Sequence, residues 1–223
     1  MNRKIGMLGS LINLASVIGF ALSMMIGSNF GSYLASIFIA LGFVLMASAF
    51  CQESVADRKA AGYAALVFSG IYAALILLVY FAQMTAVRLD GLDAQAMQIL
   101  DYQRLGLFFS YDLLGYGMMA LATLFAGLTI KATALRDKWL KGLLLIHGIF
   151  FIGCFILPTL GLFSAEMENA NWIGDAILES WCLYFSPVGI LSFLHFRNGG
   201  ERGAIAPGQA SRPHQQEPKK VRS

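Results

Sequence analysis

The sequence predicts an all-α polytopic integral membrane protein, a compact bundle of six transmembrane helices with both termini cytoplasmic. Its composition, its apolar blocks and the placement of its basic residues all support this. Of the 223 residues, 57% are hydrophobic and only 13% are charged, whereas a soluble domain carries about 25% charged residues. The apolar residues fall in long blocks, which favours helices over the roughly 10-residue alternating segments of a β-barrel.

Six apolar blocks are each long enough to cross a bilayer. A helix needs about 20 predominantly apolar residues to cross ~30 Å of hydrocarbon. We therefore predict one transmembrane domain over residues 1–197, followed by a disordered basic tail at 198–223 that has almost nothing to bury. The predicted spans are 5–27, 32–51, 60–84, 105–130, 140–163 and 174–196.

The basic residues set the predicted orientation. Cytoplasmic segments of membrane proteins are enriched in Lys and Arg. With the N-terminus inside, only Arg88 and Arg104 among the 16 basic residues would lie outside, and the opposite orientation would require nearly all the positive charge to be translocated. The predicted inner residues are Arg3, Lys4, Arg58, Lys59, Lys131, Arg136, Lys138, Lys141, Arg197, Arg202, Arg212, Lys219, Lys220 and Arg222.

The first two spans should form a tight antiparallel hairpin, because very few residues connect them. Asn13 in the first span is expected to hydrogen-bond a neighbouring helix. Ser32, Ser36 and Ala40 make a row of small residues in the second, and such rows let helix backbones approach closely in lipid. The apolar stretch of the first span exceeds the 7–15 residues of a signal-peptide core. We therefore expect an uncleaved first helix.

The third span carries a polar stripe of Ser69, Tyr72, Tyr80 and Gln83. A primary amide near lipid needs hydrogen-bond partners, so Gln83 is expected to face the bundle. Tyr80 lies near the outer end of the span, where tyrosine is often an interfacial anchor. The sequence leaves open whether Tyr80 is such an anchor or part of a site.

The longest external connection covers residues 87–104. Two aspartates, Asp90 and Asp93, are candidate helix caps, and four apolar residues from Leu92 onward recur at helical spacing. This pattern predicts a short amphipathic helix, which could be a lid or a packing element. The apolar residues of the pattern are Leu92, Ala96, Ile99 and Leu100.

Three acids are predicted in the outer half of the membrane. Asp112 lies in the fourth span, and Asp175 and Glu179 lie one helical turn apart in the sixth. A charge among lipid tails costs at least ~2.5–3.5 kcal/mol, so these acids should face the bundle or water. They suggest an acidic cavity that binds a small solute or a cation, including a proton. Three more residues complete the candidate binding site, namely Gln83, Arg88 and Arg104.

A structural role for the same acids is the competing interpretation. In that case Asp112 would pair with Arg104 or Arg88, and Asp175 and Glu179 would reach interfacial water. Kinks predicted at Pro158 and Pro187 would favour the functional interpretation, because broken helices often line transport sites.

No catalytic motif or ligand set is apparent. Nucleotide-binding loops and zinc-protease or serine-hydrolase motifs are missing, and the three cysteines and the methionines follow no ligand spacing. His147 and His195 could form a bis-histidine site, but a hydrogen-bonded packing role is favoured for His147. We therefore expect no cofactor and no metal.

Two functional classes remain open. The protein could transport a small solute, a cation or a proton, or it could be a non-catalytic sensor or assembly component. An enzyme is the least favoured class. The expected partners are the lipid bilayer, anionic lipid at the basic tail, and a small solute or proton, but no nucleic acid. The bacterial cytoplasmic membrane is the expected location.

Overall fold

The computed structural model describes residues 1–89, 91–161 and 171–203, and in the last range the side chains of 174 and 176–198 only. The regular structure of this part of the chain is helical. Short 3-10 turns lie at Ala56–Arg58 and Tyr102–Arg104. The helices are α1 (Asn2–Met25), α2 (Asn29–Glu53), α3 (Lys59–Met84), α4 (Ala86–Leu89), α5 (Ala94–Leu100), α6 (Leu107–Thr129), α7 (Leu135–His147), α8 (Phe150–Thr159) and α9 (Asn171–Gly203).

Six helical stretches in the described residues are long and apolar enough to cross a membrane, which agrees with the six apolar blocks of the sequence. They are α1, α2, α3 with its flanking short helices, α6, α7 together with α8, and α9. A chain of this kind is consistent with a multi-pass membrane protein. The last helix stays regular as far as Gly203. The rest of the predicted tail, 204–223, lies outside the described residues.

The spans form a closed ring. Helix α1 packs on α2, α2 on α3, α3 on α6, and α6 on α7 and α8, while α9 packs on both α7 and α1. One end of the ring carries the α1–α2 turn and residues 85–89 and 91–106, and we call it the long-connection end. The other end brings together Arg3, Glu53, Asp137 and His195, and we call it the Glu53 end.

Close backbone contact joins α1 to α2, as predicted for a tight hairpin. A Cβ atom on Gly42 would lie 2.7 Å from the backbone nitrogen of Asn13, and one on Gly9 would lie 2.7 Å from that of Met46. Backbone atoms cannot move aside as a flexible side chain can, so both positions require glycine. Asn13 also donates a hydrogen bond from its amide to the carbonyl of Ile39, 3.1 Å away.

Replacing Gly42 by alanine should therefore destabilise the protein by about 1–3 kcal/mol, the usual cost of overpacking. The matched control is Gly70→Ala in α3, where an added Cβ would meet nothing within 4 Å. This control should be neutral or slightly stabilising, because alanine favours helix. Thermal unfolding of the detergent-purified variants measures both effects. Equal melting temperatures for the two variants would contradict the close contact.

The fifth span differs from its prediction at two points. It begins at Leu135, five residues before the predicted start at 140. It is also interrupted ten residues before Pro158, at Gly148 and Ile149. There the amide hydrogen bonds run to the third preceding residue, from Gly148 to the Leu145 carbonyl and from Ile149 to the Ile146 carbonyl. Pro158 lies in the last turn of α8, where the helix ends anyway.

The long connection contains the short helix that the sequence predicts. The carboxylate of Asp93 accepts a hydrogen bond of 2.7 Å from the amide of Ala96 and so caps α5. The helix does not continue into α6, because Leu105 adopts a left-handed conformation with φ 52° between them. Asp90 lies outside the described residues.

Candidate functional site

Asp112 and Gln83 are the most deeply buried of the predicted site residues whose side chains are described. Asp112 is the acid of the two. It lies in the second turn of α6, facing α3, and is only 3% exposed. The hydroxyl of Tyr80 in α3 donates a hydrogen bond to its carboxylate. The Oδ1 atom has no hydrogen-bond partner. No lysine or arginine in the described part of the chain forms a salt bridge with it.

Tyrosines surround the Asp112 carboxylate. Besides Tyr80, three others lie within electrostatic range of it: Tyr33, Tyr72 and Tyr116. They come from α2, α3 and α6, so the ring packing of these helices assembles the group. The rings contact one another, with centroids 5.3 Å apart for Tyr33 and Tyr80 and 5.8 Å apart for Tyr72 and Tyr116. We call these four residues and Asp112 the tyrosine–aspartate cluster.

The cluster holds a second unpartnered polar atom. The Tyr72 hydroxyl is fully buried and, like Asp112 Oδ1, has no hydrogen-bond partner. Buried polar atoms are nearly always paired in folded proteins, so two such atoms in one cluster require an explanation. A carboxylate and phenol hydroxyls are oxygen ligands, and together they can hold a proton or a small hard cation.

An open cavity of about 210 Å³ lies at the long-connection end. Tyr33 lines this cavity and also packs on Tyr80, whose hydroxyl bonds Asp112. The cavity and the tyrosine–aspartate cluster therefore share a wall. The lining residues are Asn29, Phe30, Tyr33, Gln83, Val87, Arg88, Asp101 and Gln103.

The side chain of Gln83 in α3 joins the long connection to the helix bundle by hydrogen bonds. Its amide nitrogen donates a hydrogen bond of 2.7 Å to the carbonyl of Leu100, and its amide oxygen accepts one of 3.1 Å from the backbone nitrogen of Tyr102. Both polar atoms of this buried amide thus form hydrogen bonds with backbone atoms of the long connection. The connection is a packed element at this point, and Gln83 contributes its side chain to the cavity wall.

Arg88 and Arg104 are not partners of Asp112. The guanidinium of Arg88 lies over the ring of Phe30, with Cζ 4.8 Å from the ring centroid. Arg104 pairs with Asp101, with Nε 3.5 Å from the carboxylate oxygen. The structural interpretation in which Asp112 pairs with Arg88 or Arg104 is therefore wrong. Arg88 does line the cavity, so it belongs to the neighbourhood of the predicted site.

The acids of the sixth span are placed differently from Asp112. Glu179 is partly exposed on α9, and the group it interacts with electrostatically is the Cys182 thiol. Within the described residues it takes no part in the tyrosine–aspartate cluster. The side chain of Asp175 lies outside the described residues. Asp112 is thus brought together with tyrosines and not with Glu179.

His147 has the predicted role of a hydrogen-bonded packing residue. The indole nitrogen of Trp181 donates to His147 Nε2 across 3.0 Å. Because indole can only donate, Nε2 must be the acceptor and the ring proton is assigned to Nδ1. Nδ1 then donates to the Thr123 hydroxyl, 2.8 Å away, and that hydroxyl donates to the carbonyl of Ala120. Every polar atom in this buried group is satisfied.

An ionic cluster that the sequence did not predict lies at the Glu53 end. Glu53 is 3.0 Å from Arg3 and 3.4 Å from Nε2 of His195. The other ring nitrogen of His195 is 3.0 Å from Asp137, which is also 3.9 Å from Arg136. The cluster ties together α1, α2, α7 and α9. Only the placement of basic residues near span ends hinted at it.

The described residues contain no group of three or more His, Cys, Asp or Glu side chains that could hold a metal ion. A proton or cation bound in the tyrosine–aspartate cluster would therefore be held by one carboxylate, that of Asp112, and by the hydroxyls around it. No protein-family model, no curated protein and no solved structure matches the chain.

Proposed function

We propose that this protein binds and transports a small solute together with a proton or small cation, and that Asp112 holds the proton or cation. The observation that carries the proposal is the unpartnered Oδ1 atom of this buried carboxylate. An acid kept only for packing would be expected to have a cation beside it. Asp112 instead has a hydrogen bond from Tyr80 and free acceptor capacity.

The energetic cost of Asp112 supports a functional role. A buried polar atom without a partner costs about 1–3 kcal/mol, and an acid within a membrane-spanning helix is costly as well as rare. Such residues usually mark ion or proton pathways. The fully bonded His147 group has no comparable cost, which makes it a poor candidate for the same role.

The cavity supplies an entry route in this proposal. A solute in the cavity would touch Tyr33, and Tyr33 packs on Tyr80, the hydrogen-bond donor to Asp112. Occupancy of the cavity and of Asp112 could thereby influence each other through two aromatic side chains. Glu179 and Asp175 remain proposed solute contacts from the sixth span, for which the sequence pattern is the support.

The proposed orientation puts the cavity outside the cell. The Glu53 end carries basic residues near the ends of its spans, such as Arg3, Arg58, Lys59 and Arg136, and the long-connection end carries only Arg88 and Arg104. The positive-inside rule then makes the Glu53 end cytoplasmic. A bacterial cytoplasmic membrane is the proposed location.

Thermal stability tests the cation site without knowledge of the solute. A ligand that binds only the folded state raises the melting temperature as its concentration rises. We expect the melting temperature of the purified full-length protein to depend on pH between 5 and 8, or on Na⁺ when Na⁺ replaces N-methylglucamine. Asp112→Asn should remove the dependence on Na⁺ and should reduce the dependence on pH to the part that comes from His195 and its two carboxylate neighbours at the Glu53 end.

The control for this experiment is Asp57→Asn, because Asp57 is exposed at the Glu53 end. It should keep the wild-type dependence on protons or Na⁺. An Asp112→Asn variant that responds to pH and Na⁺ like wild type would overturn the assignment. Flux in proteoliposomes then separates the two functional classes, since a sensor would bind at Asp112 and carry nothing.

A further inference from the structure

We infer that the cavity at the long-connection end binds a small organic anion, a carboxylate or phosphate joined to an apolar group, and that Arg88 is its charged contact. This inference rests on the proposed function, for which it names the class of solute. The support comes from the size of the cavity, its charge and the orientation of Arg88.

The cavity has room for a small molecule only. Its volume is about 210 Å³, whereas drug-sized ligands occupy pockets of about 300–1,000 Å³. Its wall combines apolar side chains, Phe30 and Val87, with the amides of Asn29 and Gln103. A solute with one apolar part and one polar part would match such a wall.

Among the described residues, the charged groups of the cavity leave one positive charge unbalanced. Asp101 is the acid in the lining, and it already pairs with Arg104. It also accepts a hydrogen bond of 3.0 Å from the backbone nitrogen of Gln103. Arg88 has no carboxylate partner in the described residues. The remaining charge therefore favours an anion.

Arg88 is held in a suitable orientation for an anion. Its guanidinium lies over the Phe30 ring, with Cζ 4.8 Å from the ring centroid. Stacking of this kind restrains the planar guanidinium while its N–H groups stay free to donate. A guanidinium offers two parallel N–H donors that match carboxylate and phosphate oxygens. Arg88 is exposed in this structure, so a ligand can reach it.

The anion that binds Arg88 could come from either of two sources. A dissolved carboxylate or phosphate could enter from water, or the phosphate of an anionic lipid headgroup could reach the rim from the bilayer. Both would place an anion on Arg88, and the experiment distinguishes them by the lipid composition of the membrane.

Benzoate is the probe, because it joins a carboxylate to an aromatic ring, and benzamide is its uncharged match. The dissociation constant is measured by ligand-observed NMR on the full-length protein in phosphatidylcholine nanodiscs. We expect benzoate to bind more tightly than benzamide. Arg88→Gln should weaken benzoate about tenfold or more, the effect of losing hydrogen bonds to a charged group.

Lys138→Gln is the matched control, because it removes one exposed positive charge at the other end of the ring. It should leave the benzoate dissociation constant within about twofold, since solvent and salt screen a distant charge. Equal weakening by the two variants, or equal binding of benzoate and benzamide, would overturn the inference.

Phosphatidylglycerol nanodiscs identify the source of the anion. If a lipid headgroup occupies the site, benzoate should bind more weakly there than in phosphatidylcholine, and Arg88→Gln should abolish this difference. Unchanged affinity would identify a dissolved anion. Because the readout is binding and Asp112 is untouched, failure here would leave the proton and Na⁺ experiment on Asp112 standing, and the reverse also holds.

Discussion

Replacing Asp137 by alanine is expected to lower the free energy of unfolding by about 3 kcal/mol, near the lower end of the cost of breaking a buried ion pair. The side chain is 2% exposed, and its Oδ1 atom lies 3.0 Å from His195 and 3.9 Å from Arg136. Truncation would leave both basic groups without this carboxylate and would break one of the links between α7 and α9. We expect the lower end of the range of ion-pair costs because the side chains of His195 and Arg136 are partly exposed to solvent.

Asp57→Ala is a close control for Asp137→Ala. Asp57 also neighbours an arginine in the chain, and its carboxylate also lies 3.9 Å from the arginine Nε, that of Arg58. Its side chain is 75% exposed, however, so the pair should be worth only about 0–1 kcal/mol. Thermal and denaturant unfolding in the same detergent measure both variants. Similar losses for the two would show that burial of Asp137 contributes nothing.

The number of spans could be predicted because it depends on length and hydropathy alone. The start of the fifth span could not be predicted as well. Lys138 and Lys141 interrupt the apolar pattern there, yet long basic side chains can extend toward water while their helix continues. The interruption at Gly148 depends on tertiary packing, since a Cβ there would lie 2.9 Å from the Cβ of Leu124 on another helix.

The candidate site was only partly predictable. A polar stripe including Tyr72, Tyr80 and Gln83 pointed to one face of the third span, and that face does approach Asp112 or the cavity. The arginine partners that the competing structural interpretation gave Asp112 were wrong, because sequence gives depth in the membrane but not the rotation of one helix against another. Tyr33 was missed for the same reason.

Tyr80 illustrates how tertiary packing decides between two interpretations of one residue. Near a span end, tyrosine is commonly an interfacial anchor with its hydroxyl in water. Here the ring is 3% exposed, packs on Tyr33, and its hydroxyl bonds Asp112. The long connection covers this end of α3, because Gln83 holds the backbone of Leu100 and Tyr102. A hydropathy pattern does not show that cover.

Asp112→Asn is expected to have the opposite effect to Asp137→Ala and to raise the melting temperature at pH 8 without Na⁺. The amide keeps an acceptor for the Tyr80 hydroxyl and removes a buried carboxylate whose Oδ1 has no partner. The amide N–H groups also need partners, so the gain comes from removing a buried charge that has no basic partner, and we expect it to be about 1–3 kcal/mol. For a protein of this size that corresponds to about 2–4 °C per kcal/mol.

The same substitution should abolish transport, because an amide cannot take up the proton or cation that the proposal assigns to Asp112. A variant that is more stable but inactive is the expected mark of a residue retained for function at a cost in stability. A fall in melting temperature as large as that of Asp137→Ala would instead show that Asp112 supports packing. The two buried aspartates differ in their partners, since Asp137 has basic groups beside it, whereas Asp112 accepts a hydrogen bond from a hydroxyl and has no basic group beside it in the described residues. That difference in partners is the physical reason to expect opposite signs.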